Sequence, residues 1–501
     1  MANREFKIIR GGRLLSADFR RAEAADILIK GNRFEAITAP GVEAPSDAEL
    51  IDASDRLLMP GLINAHTHGH GSLAKGYGDR WTLELLLNAG PWITANRTLE
   101  HKYLSASLAA AEMISKGCTS AYDLYVEVPL PSIEGMQAVG CGYRDAGFRA
   151  LMAPMVADRG FFETVPALVD ALPAALQKRV RENRMAPGES SLKICRELIE
   201  SWPFDRERIG IALGPTIPLH CSDDYLTAHR DLARELDVAT HTHLGESKIQ
   251  ALSGVRSYGK TLTAHLEELG FLNPKFTAAH AVWLDPDDIR RLADNGCSVA
   301  HNPGSNMRLG SGFAPIREML EAGVNVGIGT DGAHCADNQN MFESMRFASF
   351  VSRTRSHDYE RWLETDEVFG LATRGSAHVL GLGDRLGKVA PGYLADLVML
   401  DLNSINWIPV NDPANLLVHT EDGSAVDSVM VDGEMVYVNR QFVHLDVASL
   451  RAQAEEALTT LSAMNHESRL FCEQLERHVG HFCIGLAREP YHVHALAGED
   501  F

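Results

Sequence analysis

The sequence predicts an α/β protein: a (β/α)₈ barrel of the TIM type carrying a small β-sandwich domain built from both ends of the chain. Three observations predict it. The long centre alternates apolar strand-like runs with helical stretches, and both ends carry short β-rich segments broken by glycine turns. His and Asp recur at the ends of the central strands, the face on which such barrels gather their functional groups.

At the N-terminal end, Phe6–Arg10, Ala25–Lys30 and Phe34–Thr38 are apolar or alternating, with Gly11–Gly12 and Gly31–Asn32 as punctuation. The pattern returns in Leu394–Asp401, Ser428–Val431 and Met435–Val438, broken by Pro391–Gly392 and Asp432–Gly433. Residues 1–57 and 388–445 are therefore expected to form one composite β-domain. The central strands are expected at Leu58–Ala65, Thr119–Asp123, Phe148–Val156, Ile209–Leu213, Val238–His243, Phe276–Ala281, Ser298–Asn302 and Val324–Asp331. Helical patterns such as Leu104–Lys116, Tyr225–Leu236, Pro286–Asn295 and Pro315–Ala322 lie between them. Repeated βα units imply a parallel sheet, and eight of them fit a closed barrel over 58–387. An open doubly wound sheet is the competing architecture, but no Gly-rich phosphate turn follows an early strand. Residues 446–501 form a C-terminal extension. It is helical to about residue 480, with Leu450, Ala454 and Leu458 at helical spacing, and has no clear pattern in the tail.

Composition narrows the function. The 501 residues carry 47 Lys plus Arg against 67 Asp plus Glu, a net charge of −20, which repels nucleic acid and anionic membranes. None of the eight cysteines forms a C-x-x-C pair, so neither a disulfide framework nor a thiolate zinc site is expected. The first residues lack an apolar signal region, and no run of about 18 apolar residues suggests a membrane span. A cytoplasmic protein is expected, with a small molecule and water as its partners and homo-oligomerisation as the base rate.

The polar strand ends carry the chemistry. His66 and His68 close the first strand, and two-residue spacing points both to one side. His243 closes the fifth strand, with His241 a layer deeper. His280 closes the sixth and Asp331 the eighth, and His301 lies near the end of the seventh. Imidazoles with one carboxylate suit Zn²⁺ or Fe²⁺ and leave room for water, whose pKa the metal lowers. Glu246, three residues past His243, is placed to shuttle a proton. Any one of these residues alone is more often an ordinary strand-end group; the inference rests on their convergence. His220, Arg159, Asn306 and His334 are candidate substrate contacts, each weighed against a surface or loop role. Asp337 is weighed as a support for Asp331. For Trp81 and Trp92, packing is favoured over stacking on a ring.

PGLINAHTH, HTHLGES, HAVWLDPDDIRRLADNGCSVAHNPGSN and EAGVNVGIGTDGAHCADNQNMFE resemble the amidohydrolase superfamily, in its cytosine-deaminase-like and chlorohydrolase/aminohydrolase branch. The resemblance covers nearly all of residues 1–440, with APGYLADLVMLD and VMVDGEMVY similar to the closing β-strands. It implies that His66, His68, His243 and Asp331 bind one divalent metal, zinc first and iron second. It implies that Glu246, His280 and Asp331 act on water and substrate. The strand-four end, GPTIPLHC, lacks the lysine that bridges two metals in binuclear relatives. Two departures count against an adenosine-type substrate. Thr216 follows Pro215 where thioether-nucleoside deaminases tend to carry a histidine nearby, and the loop HGHGSLAKGYGDRW lacks their usual form. Separately, relatives usually read H-C-P-x-S-N after strand seven, where this chain has His301-Asn302-Pro303-Gly304-Ser305-Asn306. The implied reaction is hydrolytic deamination of a purine-, pterin-, pyrimidine- or triazine-like ring. The alternatives are cyclic amide hydrolysis of the imidazolonepropionase kind, triazine dechlorination or N-dealkylation, and an inactive structural homologue.

Overall fold

Eight parallel strands run through the centre in chain order: β1 (Leu62–Thr67), β2 (Cys118–Val126), β3 (Arg149–Val156), β4 (Ile209–Ile211), β5 (Thr240–Leu244), β6 (Phe276–His280), β7 (Ser298–His301) and β8 (Asn325–Ile328). The structure, a computed structural model, describes residues 5–182 and 185–496. The strands form two parallel sheets, ordered β4-β3-β2-β1 and β5-β6-β7-β8. The sheets meet at both margins. Leu213 bridges Thr240 in parallel beyond β4, and past β8 the Asp331 amide donates to the His66 carbonyl of β1 at 3.0 Å. Strands covered on both faces read as unbroken apolar runs rather than alternating ones. β1 and β5 are accordingly buried at every position.

One expected element divides in two. The run Leu58–Ala65 is not a single strand: Arg56–Pro60 ends at Gly61, and β1 begins at Leu62. Arg56–Pro60 pairs antiparallel with Leu397–Asp401, whereas β1 pairs in parallel with β2. The chain changes sheets where there is no room for a side chain, since a Cβ on Gly61 would lie 2.2 Å from Thr119 Oγ1.

The two chain ends do pair. A seven-stranded sheet interleaves Arg13–Leu15, Ala22–Ala24 and Arg56–Pro60 with Leu397–Asp401, Val426–Val431, Glu434–Val438 and Gln441–Phe442. A four-stranded sheet holds Phe6–Arg10, Asp26–Lys30, Arg33–Thr38 and Glu49–Asp52. Ile9, Ile27, Phe34, Leu58, Leu397 and Met430 share one core between them. A buried ion network ties this region to the parallel strands. Arg149, at the start of β3, lies 3.2 Å from Asp396 and 3.0 Å from Asp432, and Arg208 lies 3.0 Å from Asp432.

The C-terminal extension folds as two helices, Val447–Met464 and His466–Ala487. The second packs against its own chain, with Phe471, Leu475 and Val479 in a core shared with Val165, Leu168 and Leu252. The expected tail to Phe501 lies partly outside the described residues, which end at 496. All eight cysteines are free and seven are buried. Among the described residues, no helix is long and apolar enough to cross a membrane.

Candidate active site

The C-terminal ends of the strands bring the expected groups to one buried point. His66 and His68 come from β1, His243 from β5, His280 from β6, and Asp331 stands three residues past β8. Within this cluster, three overlapping trios have ligand-capable atoms within 4.8 Å of one another: His66–His243–His280, His66–His68–Asp331 and Glu246–His280–Asp331. His66 Nε2 lies 3.5 Å and His68 Nε2 3.1 Å from Asp331 Oδ1. His280 Nε2 lies 3.7 Å from Glu246 Oε2 and 3.8 Å from Asp331 Oδ2.

Backbone carbonyls orient two of the rings. His68 Nδ1 donates to the Leu124 carbonyl and His243 Nδ1 to the Thr216 carbonyl, each at 2.6 Å. Such contacts fix the tautomer and leave Nε2 as the ligand atom. The two Nε2 atoms then face each other at 3.2 Å. Lone pairs that close repel unless a cation or proton lies between them. Both ring nitrogens of His66 and Nε2 of His280 are buried with no hydrogen-bond partner among the described residues. Buried polar groups are normally paired, so these orphaned nitrogens fit a missing cation. His241 is also buried, its ring 4.9 Å from His66 and 4.5 Å from Tyr122, one layer deeper as expected.

Electrostatics separates the carboxylates. Burial opposes ionisation of Asp331, but the His66 and His68 imidazoles beside it outweigh that penalty and hold its pKa well below the usual range. Burial also penalises a charged His68, yet Asp331 and the Leu124 carbonyl raise it. Burial alone dominates His66, whose pKa falls to about 3. Glu246 goes the other way: burial, then the like charges of Asp331 and Glu84, push it well above an ordinary carboxylic acid. The two buried carboxyl groups are thus shifted in opposite directions, Asp331 down and Glu246 up.

Several supporting groups gave no sequence signal of their role. Ser305 Oγ donates to Asp331 Oδ2 at 2.6 Å and the Gly332 amide to Oδ1 at 2.8 Å. Asn306 Oδ1 accepts from His280 Nδ1 at 2.8 Å, so this side chain orients a site histidine. Glu84, in the first turn of helix Leu83–Ile93, accepts from Ser247 Oγ at 2.7 Å, next to Glu246. His280 and Asp331 both have positive φ, +70° and +63°. Non-glycine residues seldom adopt that conformation, and it recurs where surrounding structure enforces a functional geometry.

The candidate substrate contacts divide. His334 joins the cluster: its ring lies 6.0 Å from His68 and 5.1 Å from His70. Two glycines make room for it, since a Cβ on Gly71 would lie 2.2 Å from its Nδ1 and one on Gly332 2.6 Å from the ring. His70, unmarked beside the two β1 histidines, is buried there as well. His220 is buried and its pKa lowered to about 4 by desolvation. Arg159 is exposed, its amide donating to the His220 carbonyl at 3.0 Å. Asp337 pairs with Arg308 at 2.6 Å rather than with Asp331. Trp81 and Trp92 pack together, with ring centres 6.3 Å apart.

This geometry, imidazoles and carboxylates converging at parallel strand ends, belongs to a class of hydrolases that hold a metal there. Residues 57–436 match the model of the Amidohydrolase family, and the chain belongs to that family. It is 33% identical over 457 residues to a 5'-deoxyadenosine deaminase of Methanothermobacter thermautotrophicus, covering 91% of this chain and 98% of the relative. Among solved structures, it resembles an adenosine deaminase from Xanthomonas campestris with bound zinc (TM-score 0.80, 27% identity, 91% of this chain and 98% of the other). It also resembles a triazine hydrolase from Arthrobacter aurescens (TM-score 0.80, 27% identity, 91% and 99%).

Proposed function

We propose that the protein is a metal-dependent hydrolase that deaminates an amino-substituted nitrogen heterocycle. The observation that carries this reading is the convergence of His66, His68, His243, His280, Glu246 and Asp331 on one buried point, with imidazole nitrogens left unpartnered. His66, His68, His243 and Asp331 would hold one divalent ion. Zinc is favoured over iron by the donor set and by the zinc in a structural neighbour. Such an ion supplies Lewis acidity and makes water nucleophilic near neutral pH.

The residues then divide the proton work. Asp331, its oxygens oriented by Ser305 and Gly332, accepts the proton of the attacking water. Glu246, whose buried carboxyl holds its proton more tightly than an ordinary one, donates to the ring nitrogen beside the reacting carbon, which makes that carbon more electrophilic. His280, its Nδ1 committed to Asn306, offers Nε2 to the incoming oxygen. The carbon–nitrogen bond then breaks as Asp331 passes its proton to the amino group, which leaves as ammonia, and the intermediate's hydroxyl proton returns to Glu246 as the ring carbonyl forms. His334 and His70 line the ring's approach, and His220, Arg159 and Asn306 are assigned to the outer substrate shell.

The same reading extends to the frame. The two parallel sheets, which touch at both margins, are taken as one closed (β/α)₈ barrel. The terminal sheets are taken as a β-sandwich of residues 1–57 and 388–445, and 446–501 as an appended helical unit. The pairing of Arg56–Pro60 with Leu397–Asp401 favours a sandwich-to-barrel boundary at Gly61.

Ammonia release from a panel of aminopurines, aminopterins, aminopyrimidines and aminotriazines tests the function, with metal content measured on the same samples. Release with the ring intact, proportional to metal content, is expected. Ring opening without ammonia, or activity indifferent to chelation, would discard the proposal. The resemblance to an atrazine chlorohydrolase favours one second reading, displacement of chloride, which chloride release from a chlorotriazine would reveal.

A further inference from the structure

The helix His466–Ala487 and the strap that follows it lie on the catalytic face rather than on the side of the molecule. The helix touches segments that follow three different strands. After β1, Asn88 Nδ2 of helix Leu83–Ile93 donates to the Cys472 carbonyl at 3.0 Å. After β3, Arg179 stacks over the Phe471 ring at 3.9 Å, and Val165 and Leu168 share its core. After β5, Ile249 and Leu252 pack into the same core. The strap continues across the remaining loops. Arg256, after β5, pairs with Glu489. Beyond β6, Trp283 meets the Tyr491 ring at 6.2 Å and Asp285 pairs with His492 at 2.9 Å. Beyond β7, the Phe313 amide donates to the Ala495 carbonyl at 2.7 Å.

The covering reaches the catalytic acid's neighbour. Glu84 binds Ser247 beside Glu246, and its neighbour Leu85 packs against the core that holds Leu475, Val479 and Cys483 of the roof helix. From these contacts we propose that residues 466–496 roof the site and set its substrate size. The roof admits a compact heterocyclic base and excludes rings that carry a large substituent such as a 5'-substituted ribose. The proposal rests on the active-site reading above.

The test compares the zinc-loaded wild-type enzyme with two variants. One ends the chain after Asn465. The other, Glu489→Ala/Tyr491→Ala/His492→Ala, releases only the strap, and it keeps the proposal testable should the truncation fail to fold. Two ratios are read: kcat/KM for S-adenosylhomocysteine against adenine, and the rate of zinc loss to EDTA against loss to the smaller dipicolinate. The roof predicts that at least one of the two ratios rises tenfold or more in a folded variant. Both ratios within twofold of wild type in a variant of unchanged melting temperature would overturn the roof and leave the active-site reading intact. A wild-type enzyme that cannot be loaded with zinc would overturn the active-site reading, and the roof with it.

Discussion

At the scale of single residues, Glu246 and Asp331 carry opposite assignments although both are buried carboxyls in one cluster. The difference is in what surrounds them. Asp331 receives hydrogen bonds from Ser305 and Gly332 and lies against the His66 and His68 imidazoles, whereas Glu246 faces the like charges of Asp331 and Glu84. Positioned general acids contribute roughly 10²–10⁴-fold, so Glu246→Gln is expected to lower kcat by about that factor without displacing the metal. Steady-state kinetics with metal analysis checks both halves. The acid form of Glu246 is present below its raised pKa and lost as pH rises through it. Glu84→Gln removes one like charge and keeps an oxygen for Ser247. Its alkaline limb in kcat/KM should therefore begin at lower pH than in wild type, and an unshifted profile would count against the coupling. The histidines and Asp331 were legible in the sequence because each stands at or near the end of an expected central strand. Glu84 was not, because an acidic residue in a helix's first turn is ordinarily a solvated partner of the helix dipole. Asn306 was weighed as a loop residue or a substrate contact; its bond to His280 depends on two strands coming together, which local sequence does not encode.

At the scale of elements, the apolar pattern located every central strand, since parallel strands buried on both faces leave continuous runs. The same property hid the boundary at Gly61. LLMPGLINA stays apolar while the chain passes from one sheet to another, because both halves are buried. Three-residue strands such as Arg13–Leu15 and Ala22–Ala24 are too short to show a period. Gly61→Ala should place a methyl against Thr119 and destabilise by about 1–3 kcal/mol, the usual cost of overpacking a core. Denaturant unfolding would reveal it as a lower midpoint with an unchanged slope. Gly71→Ala, by contrast, presses on His334. It is expected to reduce kcat/KM by tenfold or more with a smaller loss of stability, and a variant with wild-type kinetics would remove His334 from the site.

At the scale of the whole molecule, the terminal strands and the parallel strands are held together by charge as well as by apolar packing. Arg149 is buried between Asp396 and Asp432. Removing one member of a buried pair leaves its partners uncompensated, at a cost of about 3–5 kcal/mol. Arg149→Met should therefore lower the unfolding midpoint strongly while the metal site, on the opposite ends of the strands, keeps its ligands. The sequence indicated that the chain ends pair, through their matching β-patterns. It did not indicate this network, because long-range ion pairs have no local period. The C-terminal helices were legible as helices, but their seat over the catalytic face was not: helical spacing identifies an apolar stripe and not what covers it. The proposed chemistry depends on four side chains, distant in sequence, enclosing one ion. Anomalous diffraction at the zinc edge from crystals of the zinc-loaded protein locates that ion directly. A single strong peak per chain, bounded by His66, His68, His243 and Asp331, is the predicted result; a peak elsewhere, or none between those residues, would contradict it.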